Sequence, residues 1–191
     1  MGQFEFEQVT TRGGDRGESS LADGERRRKD DLFFHTLGSI DELSSYLGVV
    51  RSHLHREPKA IQSTLRRSGI DISDIQEKLQ LIGGMAAVPR WSKLFEKSKK
   101  ISSAEVERLE KQERALMKQT AVPQRFVQPG ETVLSAHIHV ARTVCRRSER
   151  WVVQCIRERG LDHLIPAQQY LNRLADFLFV LALWYEQNRE E

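Results

Sequence analysis

The fold of this chain is decided by the stretch Ala141-Arg142-Thr143-Val144-Cys145-Arg146-Arg147-Ser148-Glu149-Arg150, which has the pattern of a long amphipathic helix. At about 100° per residue, its apolar side chains and those of its neighbours fall on one stripe, as is typical of a helix that faces a core. The stripe consists of Val140, Ala141, Val144, Ser148, Trp151, Val152 and Cys155. Arg142, Arg146 and Glu149 lie on the opposite side, with Arg150 at its margin.

Two interpretations of this charged side follow from the spacing alone. Exposed helices commonly carry charges of both signs in i,i+3 pairs such as Arg146–Glu149, and this solvated face is the more common case. Guanidinium groups four residues apart also lie one above the other, and each can bind a carboxylate or phosphate through two hydrogen bonds. Evidence from other parts of the chain is needed to distinguish a solvated face from an anion-binding face.

Length and composition indicate a single globular domain. The chain has 191 residues, of which 39% are hydrophobic and 30% charged, and its net charge of +3 is too small to argue for nucleic-acid binding. No apolar run is long enough to span a bilayer, and the N-terminus has no secretion signal. Cys145 and Cys155 lie too far apart on one helix to form a disulfide, so we expect buried thiols in a reducing compartment.

Apolar periodicity predicts five long helices and no strand, which together indicate an all-α bundle. The expected bounds are about 31–55, 72 to just before Pro89, 103–119, 132–159 and 166–189, with a basic and polar loop over 90–103. Gly160 suits the end of the fourth helix and Pro166 the start of the fifth. The last helix is apolar nearly all round between Leu174 and Trp184, which predicts a central position or a place between subunits.

Residues 1–31 show no periodicity, and we expect a flexible polar segment. Within it, Thr11–Ser20 combines glycines, hydroxyl groups and a cation, and such a loop can direct backbone N–H groups at a phosphate. It is not a Walker A loop, because the Gly-Lys-Ser/Thr ending is missing. A disordered tail is the alternative.

Three blocks of the chain, in order, resemble the ATP:cob(I)alamin adenosyltransferases of the propanediol-utilisation and human mitochondrial type. The first comprises Thr11–Gly17, Gly24–Arg26, Lys29–Asp31 and Gly38–Leu43; the second comprises Phe126 with Pro129-Gly130 and Val140–Arg150; the third is Tyr170–Phe179. The resemblance covers nearly the whole chain, and the block Ala141–Arg150 is its most specific part.

This resemblance implies a five-helix bundle over 32–191, preceded by a nucleotide-binding loop segment over 1–31, and assembly as a homotrimer with sites between subunits. The implied reaction transfers the 5′-deoxyadenosyl group of ATP to the cobalt of cob(I)alamin, giving adenosylcobalamin and triphosphate, with Mg²⁺ as cofactor. Co(I) is itself the nucleophile, so the protein has to position the substrates and stabilise charge.

The resemblance also assigns roles to individual residues on the nucleotide side. The loop is implied to hold the triphosphate through Thr11, Arg12, Gly13, Gly14, Asp15, Arg16, Gly17, Ser19 and Ser20. Lys29 and Arg146 match further phosphate contacts, and Asn172 matches an asparagine near the nucleotide. Glu149 is expected to orient arginines or to help hold Mg²⁺, and Arg150 is expected to contact the nucleotide.

Two further assignments concern the subunit interface and the corrin. Asp41 and Arg142 occupy the positions of an intersubunit ion pair that shapes the site. Phe126 matches the aromatic residue that displaces the lower cobalt ligand, which leaves four-coordinate Co(II) that is easier to reduce to Co(I). A plain core aromatic beside a turn is the alternative for Phe126.

The chain departs from the family pattern at four positions. Gly14 stands where relatives usually have Thr, Arg16 where they have Lys, Gln128 where they have Leu, and Glu131 where they have Gly. Glu131 adds a carboxylate close to where phosphates are expected, which would weaken ATP binding or help a metal. These changes leave room for a slow or repurposed member of the family.

Two other functions are weighed against the enzyme: a carrier of cobalamin or sensor of ATP that does not turn over, and a helical nucleic-acid or partner-binding protein that uses the arginines. The mixture of signs on the helices argues against nucleic acid. Neither a nucleic acid nor a membrane is expected as a partner; a flavin-type reductase and an adenosylcobalamin-dependent enzyme are. The lack of a presequence favours the cytoplasm, and a processed mitochondrial form would look the same.

Overall fold

The computed structural model describes residues 5–88 and 93–189, and within them the fold is predominantly helical, as predicted. These residues form eight α-helices, one short 3₁₀ helix and one two-stranded antiparallel sheet. In chain order the elements are α1 (Phe6–Val9), β1 (Glu18–Ser20), β2 (Arg26–Arg28), α2 (Leu32–Leu54), α3 (Lys59–Arg67), α4 (Ile72–Ala87), α5 (Lys93–Lys97), α6 (Ser103–Met117), α7 (Val133–Arg159), the 3₁₀ helix (Asp162–Leu164) and α8 (Ile165–Asn188). The five long helices α2, α4, α6, α7 and α8 match the predicted ones closely.

Capping residues fix where the long helices begin and end. Asp31 accepts a hydrogen bond from the amide of Phe33 at 3.0 Å, and Asp71 accepts one from Ser73 at 2.8 Å. Ser102 and Glu105 form a reciprocal capping box at the start of α6. Each such cap typically contributes about 1 kcal/mol. Helix α7 ends at Gly160, whose φ of 64° lies in the left-handed region that favours glycine, as predicted.

Helix α7 lies at the centre of the bundle. It packs against α2 on one side and α8 on the other, while α4 packs on α2 and α6 on α8. Its predicted core stripe is buried from Ala141 to Cys155, apart from Trp151, which is half-buried, while Val140 at the near edge is 37% exposed. The hydroxyl of Ser148 donates to the backbone carbonyl of Ser39 at 2.9 Å, which ties α7 to α2.

The apolar last helix is accounted for by the core of a single chain. Thirteen residues of α8 are buried, among them Phe177 and Trp184 as the largest fully covered side chains. Phe179 remains half-buried on its outer side. The apolar run is therefore buried inside the bundle between α7 and α6, and a second subunit is not needed to cover it.

The structure differs from the predictions in three irregular regions. Residues 18–28 form a β-hairpin in which Glu18 pairs with Arg28 and Ser20 with Arg26, and α1 precedes it. Strands of three polar residues show no alternation that a sequence pattern could detect. Helix α3 was also not predicted; Pro58 lies at the N-cap position before its first residue. Residues 93–97 of the predicted loop form α5; residues 1–4 and 90–92 of the predicted segments lie outside the described residues.

Cys145 and Cys155 are free and buried, as predicted. Burial raises the pKa of both thiols, which makes them unreactive. Among the helices of the described residues, none is both long and apolar enough to cross a bilayer.

Candidate functional site

The glycine loop and Lys29 come together at the base of the hairpin. The amide of Lys29 donates to the carbonyl of Gly17 at 2.8 Å, and its ammonium lies 2.8 Å from the point where Gly14 would carry a Cβ atom. Arg26 donates from Nη2 to the carbonyl of Gly13 at 2.9 Å. The loop therefore has a defined shape with a cation beside it, and the alternative of a disordered tail does not describe it.

The loop leaves backbone donors available. Asp15 donates its amide to the carbonyl of Arg12 at 3.3 Å, and Gly17 donates to Gly14 at 3.1 Å. The amides of Gly14 and Arg16 donate to no residue in the described part of the chain. Arg12 has a φ of 54°, a strained backbone conformation for a non-glycine residue that concentrates at functional sites. Such a turn, with free amides and a lysine, can bind an anion.

Asp31 anchors the hairpin to the bundle. Besides capping α2, its carboxylate accepts hydrogen bonds from Arg27 of β2 at 3.5 Å and from Arg159 of α7 at 3.2 Å. Leu21, at the hairpin turn, is buried. The hairpin is thereby held beside the C-terminal end of α7.

A polar cluster on α7 and α8, called the α7–α8 cluster below, consists of Arg146, Glu149, Arg150 and Asn172. Asn172 donates from Nδ2 to Oε1 of Glu149 at 3.2 Å, and its Oδ1 accepts from Arg173 at 2.6 Å. Arg146 is exposed on the same helix face, and no carboxylate of the described residues pairs with it. Arg150 turns back to donate to the carbonyl of Arg146 at 3.1 Å. Arg146 is therefore available to an anionic ligand.

The loop and the α7–α8 cluster stay apart within one chain. The hairpin contacts α7 at Arg159, which lies thirteen residues after Arg146. At 1.5 Å per residue this is a separation of about 20 Å along the helix. Among the described residues, no hydrogen bond or ion pair joins residues 11–29 to Arg146, Glu149 or Asn172. One chain thus holds two separate halves of the predicted nucleotide site.

Asp41 and Arg142 lie on different faces of the bundle. Asp41 is exposed on α2 beside Leu79 and Gly83 of α4. Arg142 is half-buried on α7, with its guanidinium carbon 5.9 Å from the ring centroid of Phe179 and its buried Nε without a hydrogen-bond partner among the described residues. Burial, and secondarily Arg146, lower the pKa of Arg142. The two residues do not pair within the chain.

Phe126 is fully exposed in the segment between α6 and α7, which rules out a core aromatic in this structure. It lines an open groove of about 810 Å³ together with Leu183 and Glu186 of α8. Glu131 lines the same groove, and therefore lies on the Phe126 side rather than beside the glycine loop. An exposed aromatic next to a groove with an apolar wall is suited to a flat ligand.

Sequence reasoning missed four residues of this region, which form two ion pairs. Arg147 forms an ion pair with Glu42 across α2 and α7, and Arg173 forms one with Glu110 of α6 at 2.8 Å. Glu42 stands beside Asp41, and Arg173 beside Asn172, so both lay inside the matched blocks. Pairing between different helices leaves no spacing signal within one of them.

Comparison with known proteins gives a consistent result. A family model described as cobalamin adenosyltransferase matches residues 9–185. The chain is 32% identical over 179 residues to a corrinoid adenosyltransferase of Citrobacter freundii, covering 91% of this chain and 92% of that protein. It is 33% identical over 177 residues to the human corrinoid adenosyltransferase MMAB, covering 91% and 67% respectively.

A solved structure shares the fold. It is a variant of a PduO-type ATP:corrinoid adenosyltransferase from Lactobacillus reuteri complexed with cobalamin and ATP, which superposes with a TM-score of 0.80 at 26% identity over 95% of this chain and 96% of that one. The fold and the matches define a class of transferases that use ATP and act on corrinoids. The chain belongs to the cobalamin adenosyltransferase family, and it is an enzyme that adenosylates a corrinoid at the expense of ATP.

Proposed function

We propose that this chain binds ATP between two of its copies and transfers the 5′-deoxyadenosyl group to cob(I)alamin. A bond forms between cobalt and the 5′ carbon while the bond from that carbon to oxygen breaks, and triphosphate leaves. The observation that carries the proposal is the position of the Lys29 ammonium inside the glycine loop, because it creates a phosphate-binding site of amides and one cation.

The loop is proposed to bind the triphosphate. The free amides of Gly14 and Arg16 and the ammonium of Lys29 are its donors, and Arg16 supplies a second, exposed cation. The other loop residues, namely Thr11, Arg12, Gly13, Asp15, Gly17, Ser19 and Ser20, shape the cradle or extend it. These donors stabilise the charge that develops on the leaving triphosphate.

The α7–α8 cluster is proposed to supply the other half. Arg146 would bind phosphate, Arg150 would extend the basic face, and Asn172 and Glu149 would hold the nucleotide and its cation. Mg²⁺ is usually bound by one or two carboxylates and by substrate phosphates. We propose that Glu149 is such a carboxylate, because it lies beside Asn172 in the same cluster as Arg146. The ion would neutralise phosphate charge.

Assembly is proposed to bring the two halves together. The separation of about 20 Å along α7, and the placement of Asp41 and Arg142 on different faces, are both explained if each copy offers its loop and Asp41 to one neighbour and its α7 face to another. Such head-to-tail contacts form a ring when the rotation between successive copies closes. The resemblance favours a ring of three, with Arg142 paired to Asp41 of the next copy.

The groove at Phe126 is proposed to receive the corrin. Phe126 would occupy the lower face of the cobalt, which leaves four-coordinate Co(II) that a flavin-type reductase converts to Co(I). An adenosylcobalamin-dependent enzyme would receive the product. We further propose that residues 1–191 act as one domain, with the loop segment 1–31 and the bundle 32–191, and that the protein works in the cytoplasm or, as a processed form, in mitochondria.

The test is anaerobic incubation with ATP, Mg²⁺ and chemically reduced cobalamin, with the loss of Co(I) absorbance followed over time. We expect conversion that depends on ATP. Tight binding of both ligands in calorimetry without any adenosylcobalamin would instead identify a carrier or sensor. Absence of both binding and turnover would refute the proposed site.

A further inference from the structure

A chain of hydrogen bonds runs across three helices behind the α7–α8 cluster. Arg173 of α8 donates from Nε to Oε1 of Glu110 on α6 at 2.8 Å, and from Nη1 to Oδ1 of Asn172 at 2.6 Å. Asn172 in turn donates from Nδ2 to Oε1 of Glu149 on α7 at 3.2 Å. One guanidinium thus connects a carboxylate on the outer helix with the amide at the predicted nucleotide site.

The chemistry of these groups fixes the orientation of the Asn172 amide. A guanidinium has only donors, so it must face the amide oxygen, and a carboxylate has only acceptors, so it must face the amide nitrogen. Rotation of the amide by 180° would place N–H against N–H and oxygen against oxygen. One N–H of Asn172 then remains for a ligand, with its direction set by Arg173 and Glu149.

The charges around Arg173 keep it in place. Three carboxylates surround it, because Glu113 and Asp176 lie near enough to act on its pKa together with Glu110, which raises that pKa chiefly by hydrogen bonding. The same crowding, after burial, raises the pKa of Glu113. Arg173 is therefore a fixed cation rather than a mobile surface side chain, although 41% of it is exposed.

We infer that Arg173, held by Glu110, is a positioning residue that orients Asn172 and through it Glu149 for the nucleotide. The inference rests on the proposed function of Asn172 and Glu149. Arg173 does not need to touch ATP; it sets the direction of the free N–H and holds one Glu149 oxygen through Asn172. Misplacement of such groups weakens binding even when every ligand contact remains.

The decisive variant is Arg173→Lys, which keeps the charge among the carboxylates but cannot bind Glu110 and Asn172 with one planar fork. We expect about a tenfold rise in the KM for ATP, with the KM for cobalamin unchanged. The matched control is Arg114→Lys, because Arg114 pairs with the other oxygen of Glu110 at 2.8 Å and does not contact Asn172. The control should behave as wild type.

Two readouts separate positioning from a merely structural role. The Asn172→Ala variant should lose ATP affinity, and adding Arg173→Lys to it should cause no further loss, because Arg173 acts through Asn172. The side-chain amide resonances of Asn172 should shift in Arg173→Lys and not in Arg114→Lys, with or without ATP. If Arg173→Lys unfolds the protein, Glu110→Gln tests the same chain, and it should shift the same resonances.

An unchanged KM for ATP in Arg173→Lys, or losses that add fully in the double variant, would overturn the inference. Failure of the proposed function gives a different pattern: wild type would not consume Co(I), while the amide resonances would still respond to Arg173→Lys. Resonances that do not respond would refute the hydrogen-bond chain itself.

Discussion

The ammonium of Lys29 occupies the space that a side chain on Gly14 would need. We expect Gly14→Ala to displace it, since the new methyl group would lie 2.8 Å from Nζ, and to raise the KM for ATP about three- to tenfold through a weakened charged hydrogen bond. Steady-state kinetics measure this. Gly84→Ala is the control, because a Cβ there meets nothing within 4 Å; an equal effect in both would refute the explanation.

Arg146→Ala should lower kcat/KM by about 30- to 1,000-fold, because removing one charged contact to a transition state typically costs about 2–4 kcal/mol. The thermal midpoint should hardly change, since Arg146 is exposed. Arg157→Ala, an exposed arginine on the last turn of the same helix, serves as the control. Wild-type kinetics in Arg146→Ala would show that the arginine face is simply solvated.

Asp41 and Arg142 are expected to be coupled between copies although they are apart within one. Asp41→Asn and Arg142→Gln should each lower kcat/KM and weaken assembly. The kcat/KM of the double variant should be only slightly below that of the less active single variant, because both changes remove the same contact. Light scattering after size exclusion, together with kinetics, measures both effects. Losses that add strictly would argue against a contact, and a monomeric active enzyme would argue against the ring.

Phe126→Ala should separate stability from activity. Because the ring is fully exposed, the free energy of unfolding should change by less than about 0.5 kcal/mol. If the phenyl ring packs against the corrin, its removal should raise the KM for cobalamin or lower kcat about 10- to 100-fold, because a large apolar contact is lost. Val133→Ala, another exposed apolar residue, should leave both unchanged; a destabilised Phe126→Ala would point to a structural role.

His139 should make stability depend on pH. Burial, and secondarily the charge of Arg142, lower its pKa below the ordinary 6.5. The unfolded chain therefore binds the proton more readily, so the stability that the neutral ring contributes is present above pH 6.5 and is lost as the pH falls through the lowered pKa. His139→Phe should therefore make the thermal midpoint less dependent on pH below 6.5, whereas His55→Phe, at an exposed position, should not. An unchanged slope in His139→Phe would contradict the assignment.

The long helices were predictable because their signals are local. Periodicity, the cap at Ser102 and Glu105, and Gly160 all act within a few residues of one another. The hairpin was not predictable, because distant contacts hold it in place. Leu21 is buried in the core, and Asp31 binds both Arg27 and Arg159, the latter 128 residues after Asp31 in the chain. Short polar strands carry no periodicity of their own.

The candidate site was predictable only as separate parts. The matched blocks pointed to the glycine loop, Lys29, Arg146 and Asn172, and the structure brings Lys29 to the loop but leaves Arg146 and Asn172 elsewhere on the bundle. The pairing of Arg173 with Glu110 could not be predicted from the sequence, because it depends on which helix packs next to α8. That information is tertiary, and no spacing along one helix contains it.

The single carboxylate of Asp31 has a consequence for the thermodynamics of ATP binding. It caps α2, receives Arg27 from the hairpin and receives Arg159 from the end of α7. Asp31 therefore fixes the position of the hairpin, which continues from the glycine loop, relative to the ends of two core helices. If the loop binds the triphosphate as proposed, the entropy lost in fixing this segment belongs to folding, and ATP binding carries a smaller cost for ordering the chain.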